Sequence, residues 1–282
     1  MRDEEKDIRR PVFIVGAPRS GTTILAHAIA THERFWTSNE SDFLYVLFGR
    51  TPLPILWHEM RYMHPDYAPG WLVAERVSYE EFCEHLGRGI ADLFRSRAGG
   101  ARWVDATPTY TLMLDTLALM FPDAQFIHIL RDGREVVNSM THSGFNQPWA
   151  TDFAEGCRTW AYYASTARSF VKSVQDRAME LRYEQLRDEP DAAMATVFNF
   201  LGVEPSPDAT ALIRLGRINS SFGNTEPSDV FARTKPEEVS PRDPWDHWTD
   251  EQRATFQQIS GDTLRAGGYE PEPDPGEVVS ET

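Results

Sequence analysis

Short apolar runs alternate with stretches of helical periodicity along this chain. Each run is a few residues long, and the first is rich in β-branched side chains and ends at a glycine, which is typical of strands buried in a sheet. The pattern predicts strands at Pro11–Val15, Arg102–Asp105, Gln125–Leu130 and Met179–Tyr183. It predicts helices at Thr22–Ala30, Tyr79–Arg97, Tyr110–Met120, Arg134–Met140, Phe153–Val174, Asp191–Leu201 and Thr249–Leu264. This alternation favours an α/β fold of three layers, with a mostly parallel central sheet flanked by helices.

The same pattern divides the chain into one domain and two tails. We expect a charged tail over 1–10, a single domain over 11–269 and an acidic tail over 270–282. Within the domain, 41–100 is interpreted as a helical insertion. Pro, Gly, Asn and Ser interrupt 203–248, which is predicted to be a long loop.

Composition narrows the possible partners and compartments. The 282 residues carry a formal charge of −15, which disfavours nucleic acid as a partner, so any anion site must be local. Two cysteines, Cys83 and Cys157, are too few for a disulfide framework and favour a reducing compartment. No apolar run is long enough for a signal peptide or a membrane span, so we expect a cytoplasmic protein. We expect it to be a monomer or a homodimer.

The first predicted strand runs into a glycine-rich loop with the sequence FIVGAPRSGTT. Gly16, Gly21 and Thr23 fit the loop that binds nucleoside triphosphates, but Thr22 occupies the position of its lysine. The cation of this loop is instead Arg19. A loop that opens a helix still binds anions through its N–H groups, and this one suits a smaller phosphate group better than a triphosphate with Mg²⁺. No metal is expected.

At this point the sequence resembles a family. Gly16–Thr23 is similar to the 5′-phosphosulfate loop of sulfotransferases that use 3′-phosphoadenosine 5′-phosphosulfate (PAPS), in its arginine-containing form. The fold implied is the P-loop NTPase-like sulfotransferase fold. The stretch from Arg131 to Ser139, RDGREVVNS, resembles the family's 3′-phosphate motif, in which the arginine and the serine bind the phosphate on the ribose. Taken alone, Arg131 is also explained by an ion pair with Asp132 or Glu135.

Further segments extend the resemblance to Tyr269. Asp105–Tyr110 (DATPTY), Leu181–Leu186 (LRYEQL) and Gly267–Tyr269 resemble family segments, whereas the C-terminal Arg-Lys-Gly segment of cytosolic members has no counterpart. Tyr183 is expected either to contact the nucleotide or to pack in the core. The resemblance assigns donor binding, with the product 3′,5′-adenosine bisphosphate (PAP), to Pro18, Arg19, Ser20, Gly21, Thr22, Thr23, Arg131, Ser139, Tyr183, Lys235 and Ser221.

Sulfuryl transfer also needs a group that stabilises the leaving phosphate and a base for the acceptor proton. We assign the first role to Arg19 and the second to Glu40, where family members with the arginine-type loop carry a glutamate. Glu40 is alternatively an exposed carboxylate that caps a helix. The other candidate bases are Asp42, His32, His128 and His142.

Nine aromatic residues between Phe35 and Trp71 are suited to wall an apolar acceptor site, although core packing explains most of them equally well. They favour a small-molecule, glycan or lipid acceptor over a peptide. The hypothesis is therefore sulfuryl transfer from PAPS to a hydroxyl or amine. The alternatives are a P-loop kinase, a tyrosylprotein-type sulfotransferase and a non-catalytic nucleotide-binding protein.

Overall fold

The structure is a computed structural model that describes residues 10–38, 40–49, 52–62, 70–215 and 245–270. Its centre is a sheet of five parallel strands with the order β2-β3-β1-β4-β5. The strands are β1 Val12–Val15, β2 Phe35–Thr37, β3 Arg102–Asp105, β4 Gln125–Leu130 and β5 Ala178–Arg182. Helices cover both faces of the sheet, which confirms the predicted three-layer α/β fold.

Twelve α-helices lie in the described ranges. They are α1 Thr22–Ile29, α2 Leu53–Tyr62, α3 Trp71–Ala74, α4 Tyr79–Arg97, α5 Leu114–Met120, α6 Gly133–Thr141, α7 Pro148–Thr151, α8 Phe153–Val174, α9 Tyr183–Asp188, α10 Pro190–Leu201, α11 Pro207–Arg214 and α12 Asp250–Ala266. Short 3₁₀ helices occupy Pro108–Met113 and Gln175–Arg177, and a π-helix occupies Tyr45–Gly49. The helix predicted over 110–120 is thus split, with a 3₁₀ turn before α5.

The core forms on both faces because successive side chains of a strand point in opposite directions. Val12 and Ile14 of β1 face a layer built from α1, α10 and α11. Phe13 and Val15 face the opposite layer, which α4, α5 and α8 supply. A third cluster joins α6, α8 and α12 beyond the end of β4, and both cysteines are buried within these layers.

The segment predicted as a long loop contains a helix near its start and two buried tryptophans at its end. α11 lies within 203–248 and packs against α1, which corrects the prediction for those residues. Ser206 followed by Pro207 is a signature of a helix start that the analysis of periodicity passed over. At the other end, Trp245 and Trp248 are buried in the third cluster. The intervening 216–244, with Ser221 and Lys235, lies outside the described residues.

Two glycines of α4 give a matched pair of stability predictions. A Cβ on Gly87 would lie 1.8 Å from the carbonyl oxygen of Met120, whereas a Cβ on Gly89 has open space around it. We expect Gly87→Ala to lower the free energy of unfolding by about 1–3 kcal/mol, because backbone must move to accept the methyl group. Gly89→Ala should raise it by about 0.5–1 kcal/mol through helix propensity. Urea unfolding measures both changes, and equal stability of the two variants would contradict the packing of α4 on α5.

Candidate functional site

The loop that joins β1 to α1 has a backbone that only a few residues accept. Gly16, Arg19 and Gly21 have φ angles of 152°, 71° and 96°. A Cβ on Gly16 would lie 2.6 Å from the carbonyl oxygen of Ile129, and one on Gly21 would lie 2.6 Å from the ring of Tyr183. The two glycines therefore let the loop pass against β4 and against the start of α9.

The loop ends where α1 begins, so the N–H groups in the first turn of α1 have no partner within the helix. Ser20 and Thr22 are buried, with exposures of 1% and 3%, while Pro18 and Thr23 are partly exposed. The Ser20 amide already donates to the Ala17 carbonyl oxygen at 3.2 Å, so the N–H groups that suit an anion are those in the first turn of α1. This is the arrangement that binds phosphate at helix N-termini.

Thr111, which the sequence analysis did not select, fixes the start of the loop. Its Oγ1 accepts a hydrogen bond from the Gly16 amide at 3.0 Å and donates to the Gly16 carbonyl oxygen at 3.3 Å. Thr111 is completely buried, so these bonds are protected from water. The available signal was its position directly after the DATPTY segment, whose partner in space could not be read from the sequence.

The second predicted subsite begins where β4 ends. Arg131 follows Leu130, and its guanidinium contacts the carboxylate of Glu135 at 2.6 Å and lies 4.2 Å from the centre of the Tyr183 ring. The ion pair that the sequence offered as an alternative is therefore present. Glu135 also receives a hydrogen bond from Arg187 at 3.3 Å, so it does not depend on Arg131 alone.

The two predicted subsites meet. Arg19 Nε donates to Ser139 Oγ at 3.4 Å, and Arg131 Nη1 donates to the Arg19 carbonyl oxygen at 3.1 Å. The side chains that the resemblance assigned to opposite ends of one nucleotide thus lie next to each other, although 120 residues separate Arg19 from Ser139. Parallel strands bring their carboxyl ends to one edge of a sheet, which is where ligands of α/β folds bind.

Tyr183 lies at the junction of these groups. It was predicted as the last residue of a strand, but β5 ends at Arg182 and Tyr183 is the first residue of α9. Its partly buried ring packs against the first core layer, against Gly21 and against the guanidinium of Arg131. Both earlier interpretations are therefore compatible with its position, because one side of the ring belongs to the core and its edge reaches the loop.

Glu40 lies beside the loop. Thr23 Oγ1 donates to Glu40 Oε1 at 3.3 Å. The side chain is solvent-accessible, yet the protein around its carboxyl group removes enough water to raise its pKa above the ordinary value of a glutamate. The charges of Asp42 and Asp105 add to this rise, while the hydrogen bond from Thr23 and the charge of Arg19 oppose it. A carboxylate with a raised pKa is a stronger base than an ordinary one.

The other candidate bases have different surroundings. Asp42 accepts a hydrogen bond from Thr109 at 2.8 Å. His32 packs against the rings of Phe35 and Phe198. His142 ends α6 and its Nδ1 lies 2.8 Å from the Asn138 carbonyl oxygen.

His128 is buried in the middle of β4, where its Nδ1 lies 3.1 Å from Glu180. Burial lowers the pKa of His128 even though Glu180 opposes that change, so the ring is neutral near pH 7. Glu180 itself is held as a carboxylate by Arg168 at 2.9 Å. This group therefore belongs to the core and not to the loop edge.

Two features are absent from the described residues. No helix among them combines the length and apolar character that crossing a bilayer needs. Within the same residues, no cluster of three or more His, Cys, Asp and Glu side chains is arranged to hold a metal ion.

The chain was compared with known proteins. It is 27% identical to nodulation protein NoeE of Sinorhizobium fredii, in an alignment that covers 75% of this chain and 55% of NoeE. It is 25% identical to protein-tyrosine sulfotransferase 1 of Danio rerio, over 68% of this chain and 53% of that protein. The chain therefore spans about half the length of these curated relatives.

Solved structures of sulfotransferases share the fold. The sulfotransferase domain of the Synechococcus PCC 7002 olefin synthase superposes with a TM-score of 0.59 at 20% identity, covering 93% of this chain and 96% of that domain. Mouse sulfotransferase SULT7A1, solved in complex with PAP, superposes with a TM-score of 0.53 at 14% identity, covering 92% and 88%. The model described as "Sulfotransferase family" matches residues 11–208. Since this match covers more than half of the chain, the protein belongs to the sulfotransferase family.

Proposed function

We propose that this protein transfers a sulfuryl group from PAPS to a hydroxyl or amine of a small-molecule, glycan or lipid acceptor. The observation that carries the proposal is the contact between Arg19 of the first motif and Ser139 of the second, with Arg131 bonded to the Arg19 main chain. Two cationic groups at one sheet edge suit a nucleotide that has a phosphate at each end of its ribose. The structure of mouse SULT7A1 with PAP supports such a ligand for this fold.

The residues have separate roles in the proposed reaction. The acceptor oxygen or nitrogen attacks sulfur, the bond from sulfur to the phosphate oxygen breaks, and that oxygen keeps the electron pair. Arg19 and the first turn of α1 stabilise the charge that develops on the phosphate. Glu40 takes the proton that the acceptor loses, and its raised pKa suits that role.

The nature of the acceptor is a separate part of the proposal. An acidic peptide would need a basic cleft, but the residues next to the proposed base include Asp42, and the charge of buried Asp105 also acts on Glu40. This negative potential favours a neutral or cationic acceptor. A tyrosine side chain is the second candidate acceptor, because some of the relatives are named protein-tyrosine sulfotransferases. A screen with radiolabelled PAPS should compare a phenol, a glycoside, a long-chain alcohol and a tyrosine peptide with acidic flanks.

We infer a reducing compartment from the state of the two cysteines. Both cysteines are buried as free thiols, and burial raises the pKa of Cys157 to about 12. Thiols in this state fit a reducing compartment such as the cytoplasm.

PAP should stabilise the protein more than ATP with Mg²⁺ does. At 100 times its Kd, PAP adds about 2.7 kcal/mol to the free energy of unfolding, which raises Tm by roughly 5–10 °C. ATP with Mg²⁺ should raise Tm little, because Thr22 is buried where a triphosphate loop has its lysine. Thermal melts with each nucleotide measure the difference. Stronger protection by ATP with Mg²⁺ would favour the kinase alternative and would overturn the proposal.

A further inference from the structure

A buried hydrogen-bonded cluster lies directly behind Glu40. Its centre is Asp105, the last residue of β3, which is 3% exposed. One carboxylate oxygen accepts hydrogen bonds from the Thr107 amide at 3.0 Å and from Thr107 Oγ1 at 2.6 Å. The other accepts a hydrogen bond from Ser41 Oγ at 2.9 Å. Ser41 is the residue that follows Glu40 in the chain.

The donors of this cluster are arranged in one direction. Because the Ser41 hydroxyl donates its only hydrogen to Asp105, the contact of 2.8 Å between Ser41 Oγ and the Tyr110 hydroxyl must be donated by Tyr110. The Tyr110 oxygen in turn accepts from the Leu44 amide at 3.2 Å, and Thr107 Oγ1 accepts from the Ser41 amide at 3.0 Å. Every hydrogen points towards Asp105, which therefore acts as an ionised acceptor although burial raises its pKa.

The cluster fixes the backbone on the side of Glu40 away from the loop. The Ser41 hydroxyl is bonded to Asp105 at the end of β3, while the Ser41 amide and Asp42 are bonded to Thr107 and Thr109 in the segment that follows. On its other side, the Glu40 carboxylate is bonded to Thr23 of α1. Glu40 is thus held through its carboxylate by Thr23 and through the chain that follows it by Ser41 and Asp42, which limits the positions its carboxylate can reach.

We propose that Asp105, acting through Ser41, is the positioning residue of the base Glu40. The inference rests on the proposed function. It assigns a role to the first residue of the DATPTY segment, which contacts Glu40 only through Ser41.

The charged groups that act on Glu40 set the sign of the expected pH effect. Asp42 and Asp105 raise the pKa of Glu40, and Arg19 and the hydrogen bond from Thr23 lower it. Removing the charge of Asp105 should therefore lower the pKa of Glu40. The carboxylate of Glu40 would then stay ionised down to a lower pH. The fall of kcat on acidification would shift to lower pH by the same amount.

The test uses Asp105→Asn and Ser41→Ala, with Asp115→Asn as the matched control. Asp115 is an exposed aspartate on nearby α5. We expect kcat to fall about 10-fold or more in both test variants, because Glu40 loses its anchor, while the Kd for PAP is unchanged. Only Asp105→Asn should also lower the Glu40 pKa, measured by NMR of ¹³C-labelled glutamate carboxyls and assigned with Glu40→Gln. Asp115→Asn should match the wild type in all three measurements.

The outcomes separate the inference from the proposed function. If the wild type fails to bind PAP, the proposed function is wrong. If the wild type binds PAP and transfers sulfate, but Ser41→Ala keeps wild-type kcat, the positioning role is overturned. An unchanged Glu40 pKa in folded Asp105→Asn contradicts the expected pH effect. Should Asp105→Asn fail to fold, kcat of Ser41→Ala and of Tyr110→Phe decides the positioning role, since both remove neutral hydroxyls from the same cluster.

Discussion

Replacing Glu40 with Gln is expected to lower kcat of sulfuryl transfer by about 10²-fold or more, because a glutamine cannot accept the proton that the acceptor loses. The Kd for PAP should stay within about twofold, since Glu40 meets the loop through one long hydrogen bond from Thr23 at 3.3 Å. Single-turnover transfer from radiolabelled PAPS and calorimetric titration with PAP measure the two quantities. In the wild type, kcat should fall as the pH is lowered, because Glu40 becomes protonated. Since its pKa is raised, this fall should begin at a higher pH than it would for an ordinary glutamate.

The matched control for this variant is Glu33→Gln. Glu33 is also an exposed glutamate, and it lies just before β2. Its loss should leave kcat unchanged. If Glu40→Gln keeps wild-type turnover, Glu40 is not the base. Asp42→Asn and His142→Gln would then test two of the other candidate bases.

Replacing Arg131 with Ala is expected to weaken PAP binding by about 10²-fold or more, because truncating one partner of a partly buried charge pair costs several kcal/mol. The side chain is 18% exposed and is held between Glu135 and the ring of Tyr183, so the cation is in place before the ligand arrives. AMP, which has the 5′-phosphate but no 3′-phosphate, should bind the variant and the wild type with similar Kd. Calorimetric titration with both nucleotides measures the difference.

Arg134→Ala provides the control for Arg131→Ala. Arg134 is the next arginine on the same segment, but its guanidinium pairs with Asp132 at 2.6 Å and stacks on Trp245. Arg134→Ala should leave the ratio of the Kd for PAP to the Kd for AMP unchanged. A variant Arg131→Ala that loses PAP and AMP affinity equally would show that Arg131 supports the loop as a whole, through its bond to the Arg19 carbonyl oxygen, and does not read the 3′-phosphate.

The local patterns of the sequence were sufficient for most of the fold. The runs that became β1, β3 and β4 are short and buried along their whole length, and the long amphipathic stretches of α4, α8 and α12 have clear periodicity. β2 was missed because it has only three residues, and α11 was missed because its start signal stands in a Pro-rich segment. Tyr183 was placed in a strand because an aromatic residue after an alternating run reads equally well as strand or helix start.

The sequence by itself determined that the chain has an arginine-type phosphate loop after a buried strand, a second basic motif after another, and a carboxylate after the first helix, because spacing and residue type are local properties. Only the tertiary structure decided that Arg19 meets Ser139, that Thr111 closes the loop and that Asp105 reaches Glu40 through Ser41. Those contacts join residues 64 to 120 positions apart. They follow from the strand order β2-β3-β1-β4-β5, which is set by the packing of the two core layers, and no local pattern of residues specifies it.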